Sequence, residues 1–122
     1  MGLRILIVED HPECADSLVR LLLLLGHETA VARDGSTAIQ VALAQRPDVV
    51  LLDFGLPGGM DAWEVARRIN EQPGERPFLV AISGHGPDRA KEAESGIQLH
   101  IMKPVKLSEL KDVLATWEAV RQ

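Results

Sequence analysis

Acidic residues stand at the carboxyl ends of two apolar segments of the chain. Asp53 ends the run from residue 48 to 53, and Glu9 and Asp10 directly follow the run from residue 3 to 8. Strands that are apolar on both faces usually lie inside a parallel sheet with helices on each side. Side chains at their carboxyl ends project into the crevice where open α/β sheets bind ligands. If the two strands are neighbours, three carboxylates meet at one edge, and this arrangement requires a cation.

Two further apolar runs end in polar side chains. Ser83 follows the run from 78 to 82, and Lys103 follows the run from 98 to 102. A lysine is a compact positive charge that can pair with a phosphate or with acidic groups, and a serine hydroxyl can donate a hydrogen bond. A carboxylate, a lysine and a hydroxyl around one crevice predict a site that takes up a phosphoryl group.

The acidic cluster predicts a magnesium site. Mg²⁺ prefers oxygen ligands, keeps several waters and takes one or two carboxylates from the protein. We expect Asp10 and Asp53 to be the direct ligands, and Glu9 to reach the ion through water or to help place it. A backbone carbonyl just past Asp53 is a further candidate ligand. Asp53 is also the candidate nucleophile, which would form an acyl phosphate.

The elements that must position these residues alternate strictly between strand and helix. Apolar runs of strand length alternate with segments whose apolar residues recur at helical spacing, separated by glycines and prolines. Five strands alternating with helices predict an α/β fold with right-handed crossovers and a doubly wound parallel sheet. The flavodoxin-like strand order 2-1-3-4-5 places strands one and three side by side, and this adjacency would bring the acids together. The predicted strands are 3–8, 29–32, 48–53, 78–82 and 98–102; the predicted helices begin near 12, 34, 88 and 107, and a further helix with Val65, Ala66 and Ile69 follows the loop at 55–59.

Composition and charge limit the classes of protein to which the chain can belong. The 122 residues suit a single domain covering 1–122, and 46% apolar with 25% charged residues is ordinary globular usage. The net charge of −5 does not indicate the excess of basic residues that is typical of nucleic-acid-binding domains. No apolar run approaches the ~18 residues of a membrane span, and the chain enters its first strand too early for a signal peptide. The single cysteine, Cys14, fits a reducing compartment, so we expect a cytoplasmic location.

Five short motifs in this order resemble the receiver domain of two-component response regulators. They begin at Glu9, Asp53, Leu56, Ser83 and Lys103, and read Glu-Asp, Asp, Leu-Pro, Ser-Gly and Lys-Pro. The resemblance covers essentially the whole chain. It implies that Asp53 accepts a phosphoryl group from a phosphohistidine of a sensor histidine kinase or a histidine phosphotransfer protein, with Mg²⁺ required and Mn²⁺ as a possible substitute. It also implies that Ser83 moves toward the phosphate, and that the bond from Lys103 to Pro104 is cis.

The chain departs from the family pattern in three places. Receivers usually carry an aromatic residue three positions before the lysine, where this chain has His100, so either the histidine ring takes part in switching or that face is not coupled in the usual way. The segment between Ser83 and Lys103 is short, which predicts a brief fourth helix. Gly55 leaves no side chain beside the phosphoryl group, and its backbone carbonyl is the candidate metal ligand. The Gly-Leu-Pro-Gly sequence of the loop after Asp53 resembles the corresponding loop in receivers of hybrid histidine kinases.

Other functions are weaker alternatives. A receiver-fold module could bind partners without being phosphorylated, and we expect the protein to be a monomer or a weak dimer in either case. A phosphatase that uses Asp53 as nucleophile would require a second aspartate at position 55, where this chain has glycine. A flavin-binding domain would require a Ser/Thr-rich phosphate cradle after the first strand, where this chain is acidic.

Several side chains are expected to be structural. Cys14 is placed on the core face of the first helix, and one of Leu23 and Leu24 is expected to be covered by a neighbouring helix; a partner-docking patch is the alternative for this leucine cluster. Trp63 and Trp117 are expected to be partly buried at helix ends. The histidines at positions 11, 27 and 85 are expected on the surface or in loops, with the last a candidate for the rim of the site.

Overall fold

The computed structural model describes residues 2–55, 61–84, 86 and 88–121. Strands and helices alternate along the chain, as the apolar pattern predicts. The strands are β1 (Arg4–Val8), β2 (Glu28–Ala32), β3 (Val49–Asp53), β4 (Phe78–Ser83) and β5 (Ile97–Met102). The helices are α1 (Pro12–Leu24), α2 (Gly35–Gln45), α3 (Ala62–Asn70), α4 (Arg89–Ser95) and α5 (Leu107–Arg121). At seven residues, α4 is as brief as the short segment before Lys103 predicts.

All five strands form one parallel sheet in the order β2-β1-β3-β4-β5. This confirms the doubly wound, flavodoxin-like α/β fold. The pairing of β1 with β3 sets Val8 opposite Leu52, so the residues that directly follow these two positions are neighbours at the carboxyl edge. The pairing of β4 with β5 sets Ser83 opposite Met102, which brings Lys103 to the same edge.

Two apolar layers cover the sheet. The side chains of β3 are buried on both faces, which is the pattern of a central parallel strand. One face packs against α2 and α3 through residues such as Ala38, Val65 and Ile69. The other face packs against α1 and α5 through Leu22 and Leu110. The central strands are therefore packed on both faces, and this packing positions the side chains at their carboxyl ends.

Local sequence explains where the helices begin and end. Pro12 opens α1 at a position where its missing N–H costs nothing. The carboxylates of Asp34, Asp61 and Asp88 each accept a hydrogen bond from a backbone N–H in the first turn of α2, α3 and α4, which satisfies donors that have no partner inside the helix. Gly96 follows α4 with φ of 85°, a left-handed conformation that favours glycine.

Several expectations about burial were wrong. Cys14 is exposed rather than in the core. Leu23 and Leu24, one of which was expected to be partly covered, are 56% and 81% exposed, so any cover of Leu23 is only partial. Leu43 and Leu107 are also exposed. Helical spacing identifies the apolar side of a helix, but the distance to the sheet decides how wide a strip of that side is covered.

The tryptophans behave as expected. Trp63 and Trp117 are both partly buried against the core. The Trp63 ring meets Phe54 edge to face, with ring centroids 4.5 Å apart. Among the helices of the described residues, none combines the length and the apolar character that a membrane span requires.

Candidate functional site

Three carboxylates converge at the carboxyl edge of the sheet. Glu9 and Asp10 follow β1, Asp53 ends β3, and each contributes an oxygen to a group whose members all lie within 4.8 Å of one another. Glu9 and Asp53 are only 3% and 4% exposed, whereas Asp10 faces solvent. The adjacency of β1 and β3 therefore produces the cluster that the sequence predicts.

Lys103 supplies the positive charge in this cluster. Its Nζ lies 2.8 Å from Oδ1 of Asp53 and 3.9 Å from Oε1 of Glu9. The backbone holds the lysine in place, since Lys103 N–H donates to the carbonyl of Ser83 at 2.8 Å. The peptide bond from Lys103 to Pro104 is cis, as the resemblance predicts. The lysine side chain remains 40% exposed, so a ligand entering the crevice can reach it.

Backbone donors orient the two buried carboxylates. The N–H of Gly55 donates to Oδ1 of Asp53 at 3.2 Å, and the N–H of His11 donates to Oε2 of Glu9 at 3.2 Å. Oδ1 of Asp53 is thus held by two donors, Lys103 and Gly55. A Cβ added at Gly55 would lie 3.6 Å from Oδ2 of Asp53, so this glycine leaves open the space next to that oxygen.

The site changes the ionisation of its own groups. Burial raises the pKa of Glu9 from 4.5 to about 7, helped by a hydrogen bond with Asp53 and by the negative charge of that residue; the His11 N–H and Lys103 oppose the rise. Burial lowers the pKa of Lys103, but its hydrogen bond and charge pairing with Asp53 outweigh this effect, and the pKa of Lys103 rises. Burial and the neighbouring charge of Asp53 thus favour the protonated form of Glu9 when no further cation is present.

The donor set fits a hard divalent cation. Three carboxylate oxygens within 4.8 Å of one another match the oxygen ligands that Mg²⁺ prefers. With all groups ionised, three carboxylates face one lysine, which leaves an excess of negative charge. Burial is the main cause of the raised pKa of Glu9, and the negative charge of Asp53 adds to it. Asp10, on the solvent side, leaves the site open to water, which Mg²⁺ retains in most protein sites.

Ser83 and His100 lie on the next two strands. The register sets His100 opposite Ala81 and Ser83 opposite Met102. Ser83 Oγ is 2.9 Å from Nε2 of His100, and Nδ1 of His100 is 3.1 Å from Oε2 of Glu92 on α4. Ser83 is only 6% exposed. The structure thus joins the two candidate switch residues directly, and adds Glu92, which sequence reasoning did not find.

A further feature missed from sequence is an apolar cavity beside the acidic cluster. Its volume is about 510 Å³, and it is lined in part by Leu18, Leu21, Pro104 and Val105, with Glu9 and Lys103 at its border. The exposed Cys14 also lines this cavity. The signal that could have found it is the apolar Pro104-Val105 pair following the lysine, opposite the leucine-rich face of α1.

The remaining candidate residues have these positions. His11 caps α1, where its Nδ1 accepts from the N–H of Cys14 at 3.4 Å. His27 is partly buried, and its Nδ1 accepts from the N–H of Leu3 at 3.0 Å. The expectations for Leu56-Pro57 and for His85 fall outside the described residues.

Comparison with known families identifies the class of protein. A family model described as the response regulator receiver domain matches residues 5–115. The chain therefore belongs to the receiver domain family of two-component response regulators. It is a signalling module and not a conventional enzyme, and receiver domains of this family interact with histidine kinases or phosphotransfer proteins.

Two curated relatives are response regulators longer than this chain. The chain is 38% identical over 110 residues to the DNA-binding response regulator MtrA of Mycolicibacterium smegmatis, covering 90% of this chain and 48% of that protein. It is 35% identical over 109 residues to the response regulator PleD of Caulobacter vibrioides, covering 86% of this chain and 24% of that protein. The chain thus spans about half the length, or less, of these relatives.

Solved structures agree with the fold. The receiver domain of the sensor histidine kinase PA1611 from Pseudomonas aeruginosa superimposes with a TM-score of 0.84 at 32% identity, covering 96% of this chain and 98% of that one. That structure holds a magnesium ion coordinated in its active-site cleft. A CheY-like receiver domain from Methylobacillus flagellatus has a TM-score of 0.86 at 23% identity, covering 96% and 99% of the two chains, and shows the shared fold.

Proposed function

We propose that Asp53 is the phosphoryl acceptor of this receiver domain. The observation that carries the proposal is the position of Asp53, a buried carboxylate at the edge of the sheet that lies 2.8 Å from the Lys103 ammonium group. A nucleophile needs an adjacent positive charge to neutralise the oxygens of an incoming phosphoryl group. Lys103 supplies such a charge at the carboxylate itself.

The proposed metal site consists of Glu9, Asp10 and Asp53, together with the backbone carbonyl of Gly55. Mg²⁺ is the proposed ion, with Mn²⁺ as a substitute of similar ligand preference. When bound, the ion would neutralise the negative charge that accumulates on the phosphoryl oxygens. The magnesium in the cleft of the Pseudomonas receiver supports this assignment, as does the convergence of the three carboxylates in the present chain.

The proposed reaction moves one phosphoryl group from nitrogen to oxygen. An oxygen of Asp53 forms the new O–P bond as the N–P bond of a phosphohistidine breaks, and the leaving imidazole keeps the electron pair of that bond and takes up a proton. The Gly55 N–H and Lys103 fix the plane of the carboxylate through Oδ1. Ser83, on the neighbouring strand, is the proposed hydroxyl donor to the transferred group, and His100 is the proposed second member of the switch.

The phosphodonor is proposed to be a histidine kinase or a histidine phosphotransfer protein. The apolar cavity between α1 and the residues after β5 borders Glu9 and Lys103, so a helix docked there would present its histidine to the acidic edge. Such a partner also supports a cytoplasmic location. The chain is proposed to act as one receiver domain over residues 1–122, as a monomer or weak dimer, without contacting nucleic acid itself.

The test is phosphorylation by a small-molecule donor. Wild-type protein is incubated with acetyl phosphate with and without Mg²⁺, and its intact mass is measured by mass spectrometry. We expect the addition of one phosphoryl group that depends on Mg²⁺ and is lost in Asp53→Asn. The alternative is a module that works without phosphorylation. In that case the wild type would gain no mass, and the wild type and the Asp53→Asn variant would bind the kinase equally tightly.

A further inference from the structure

The helix α4 is attached to the domain in an unusual way. None of its seven residues buries an apolar side chain, and Ser95 at its end is its only buried residue. Ala90 and Ala93, the apolar residues of the helix, are both exposed. The side chain of Glu92 is the exception in the middle of the helix, since only 14% of it is exposed and it points at the sheet. Glu92 thus joins the middle of α4 to the sheet through a polar contact.

That contact is part of a hydrogen-bond chain across two strands and one helix. Oε2 of Glu92 lies 3.1 Å from Nδ1 of His100, and Nε2 of His100 lies 2.9 Å from Oγ of Ser83. The His100 side chain is only 9% exposed. We refer to these three side chains as the Glu92–His100–Ser83 chain. It connects α4 directly to the serine at the carboxyl edge of the sheet.

The chemistry of the three groups fixes the direction of the hydrogen bonds. An ionised carboxylate can only accept, so Nδ1 of His100 must carry the hydrogen in its bond with Glu92. The neutral form of the ring then has no hydrogen on Nε2, which acts as an acceptor. In this neutral form the partner of Nε2 donates, and the single hydroxyl hydrogen of Ser83 is directed at His100. Glu92 thus selects the ring tautomer that engages this hydrogen.

We propose that Glu92 is a positioning residue that keeps the Ser83 hydroxyl turned toward His100 and so opposes loading of the acceptor site. This inference rests on the proposed function, in which Ser83 donates to the group carried by Asp53. Since a hydroxyl has one hydrogen, Ser83 must break its bond to His100 before it can make that donation. Loading therefore competes with the Glu92–His100–Ser83 chain. The same competition couples the loaded state to α4, because Glu92 of this helix is one end of the chain.

Glu92→Gln tests the role of the carboxylate. A glutamine amide can accept from Nδ1–H through its oxygen or donate to a bare Nδ1 through its nitrogen, so it permits both ring tautomers. In the second tautomer Nε2–H donates to Ser83, which frees the hydroxyl hydrogen for the acceptor site. Glu94→Gln is the matched control, because it removes the same charge from an exposed position two residues further along α4.

The first measurement uses the unloaded protein. Nitrogen-15 chemical shifts of the His100 ring distinguish the two neutral tautomers by NMR. We expect the wild type and Glu94→Gln to hold the hydrogen on Nδ1, and Glu92→Gln to give a mixture. Amide hydrogen exchange in α4 should be faster in Glu92→Gln alone. A ring that keeps the same tautomer in Glu92→Gln would overturn the proposal, and this result does not depend on whether Asp53 is phosphorylated.

The second measurement uses beryllofluoride with Mg²⁺, which mimics a phosphoryl group on a carboxylate. We expect Glu92→Gln to bind it about fivefold more tightly than the wild type, the equivalent of one ordinary hydrogen bond no longer opposing loading. Glu94→Gln should bind as the wild type does. In the Ser83→Ala background the gain from Glu92→Gln should vanish, because the contested hydroxyl is absent. A merely structural role for Glu92 would not produce this dependence on Ser83.

The two readouts separate the possible failures. Unchanged or weaker beryllofluoride binding by Glu92→Gln, or a gain that persists in Ser83→Ala, contradicts the proposal. If the wild type does not bind beryllofluoride at all, the proposed function fails. The ring tautomer and the exchange of α4 then decide whether Glu92 orients His100.

Discussion

Replacing Glu9 with glutamine should remove a pH dependence of stability that the wild-type protein has in the absence of divalent cations. The pKa of Glu9 is raised from 4.5 to about 7, chiefly by burial. Between these values the folded protein binds more protons than the unfolded chain, so the free energy of unfolding falls as the pH rises. The contribution of the protonated carboxyl is complete below pH 4.5 and is lost as the pH passes through about 7.

The size of this effect follows from the displacement of the pKa. About 7 minus 4.5 is about 2.5 pH units, and each unit corresponds to about 1.4 kcal/mol, which gives about 3 kcal/mol. Because the raised pKa of Glu9 depends in part on its hydrogen bond with Asp53, we take this as an upper value. With a urea m-value of about 1–3 kcal/mol per molar, this upper value corresponds to a fall of about 1–3 M in the midpoint of unfolding over this pH range.

The assay is urea unfolding in EDTA at a series of pH values, followed by circular dichroism. The quantity that matters is the difference in unfolding free energy between wild type and Glu9→Gln, because other titrating groups cancel in it. Glu13→Gln, an exposed change in the first turn of α1, is the matched control and should keep the wild-type slope. Adding Mg²⁺ should restore wild-type stability at high pH, since the ion binds the ionised carboxylates. Equal slopes for wild type and Glu9→Gln would refute the reasoning.

Three further predictions concern the site and its scaffold. Lys103→Gln should lower the free energy of unfolding by about 1–2 kcal/mol in EDTA at about pH 8, because it leaves Asp53 and Glu9 without their cation. Urea melts should show that Mg²⁺ reduces this difference from the wild type, and an unaltered midpoint in EDTA would contradict the expectation. Leu52→Ala should cost about 2–5 kcal/mol in the same melts, because a fully buried central strand loses its packing; a cost below about 1 kcal/mol would mean that this core position can collapse. Asp61→Ala should cost about 1 kcal/mol, since the first turn of α3 loses its cap on the N–H of Glu64, and the Asp61→Asn variant should retain most of the stability.

Much of the fold could be predicted from sequence because the signals were local and repeated. The apolar runs of β1, β3 and β4 are too continuous for exposed strands, and the acids that follow two of them make sense only if those strands are adjacent. The strand order thus followed from the chemistry of Glu9 and Asp53 as much as from topology. The predicted strand bounds lie within one residue of those observed.

The errors have a common physical origin. Cys14 recurs at the helical spacing of the core residues of α1, yet its side chain is exposed, because this spacing does not fix how far the core extends around the helix. The role of Glu92 was missed for a similar reason. Its contact with His100 joins a helix to the strand that follows it, and nothing in the spacing of the two residues indicates that their side chains meet. The available signal was an acid on a helix without buried apolar residues, preceding a histidine at a position that is usually aromatic.

The most direct test of the central claim is to locate the phosphoryl group within the chain. Protein loaded with acetyl phosphate and Mg²⁺ is treated with borohydride, which reduces an acyl phosphate to the corresponding alcohol, and its peptides are sequenced by mass spectrometry. The account predicts that residue 53 alone is converted, and that conversion requires Mg²⁺. Conversion at Glu9, Asp10 or another carboxylate, or no conversion of a protein that has gained the mass of a phosphoryl group, would contradict it.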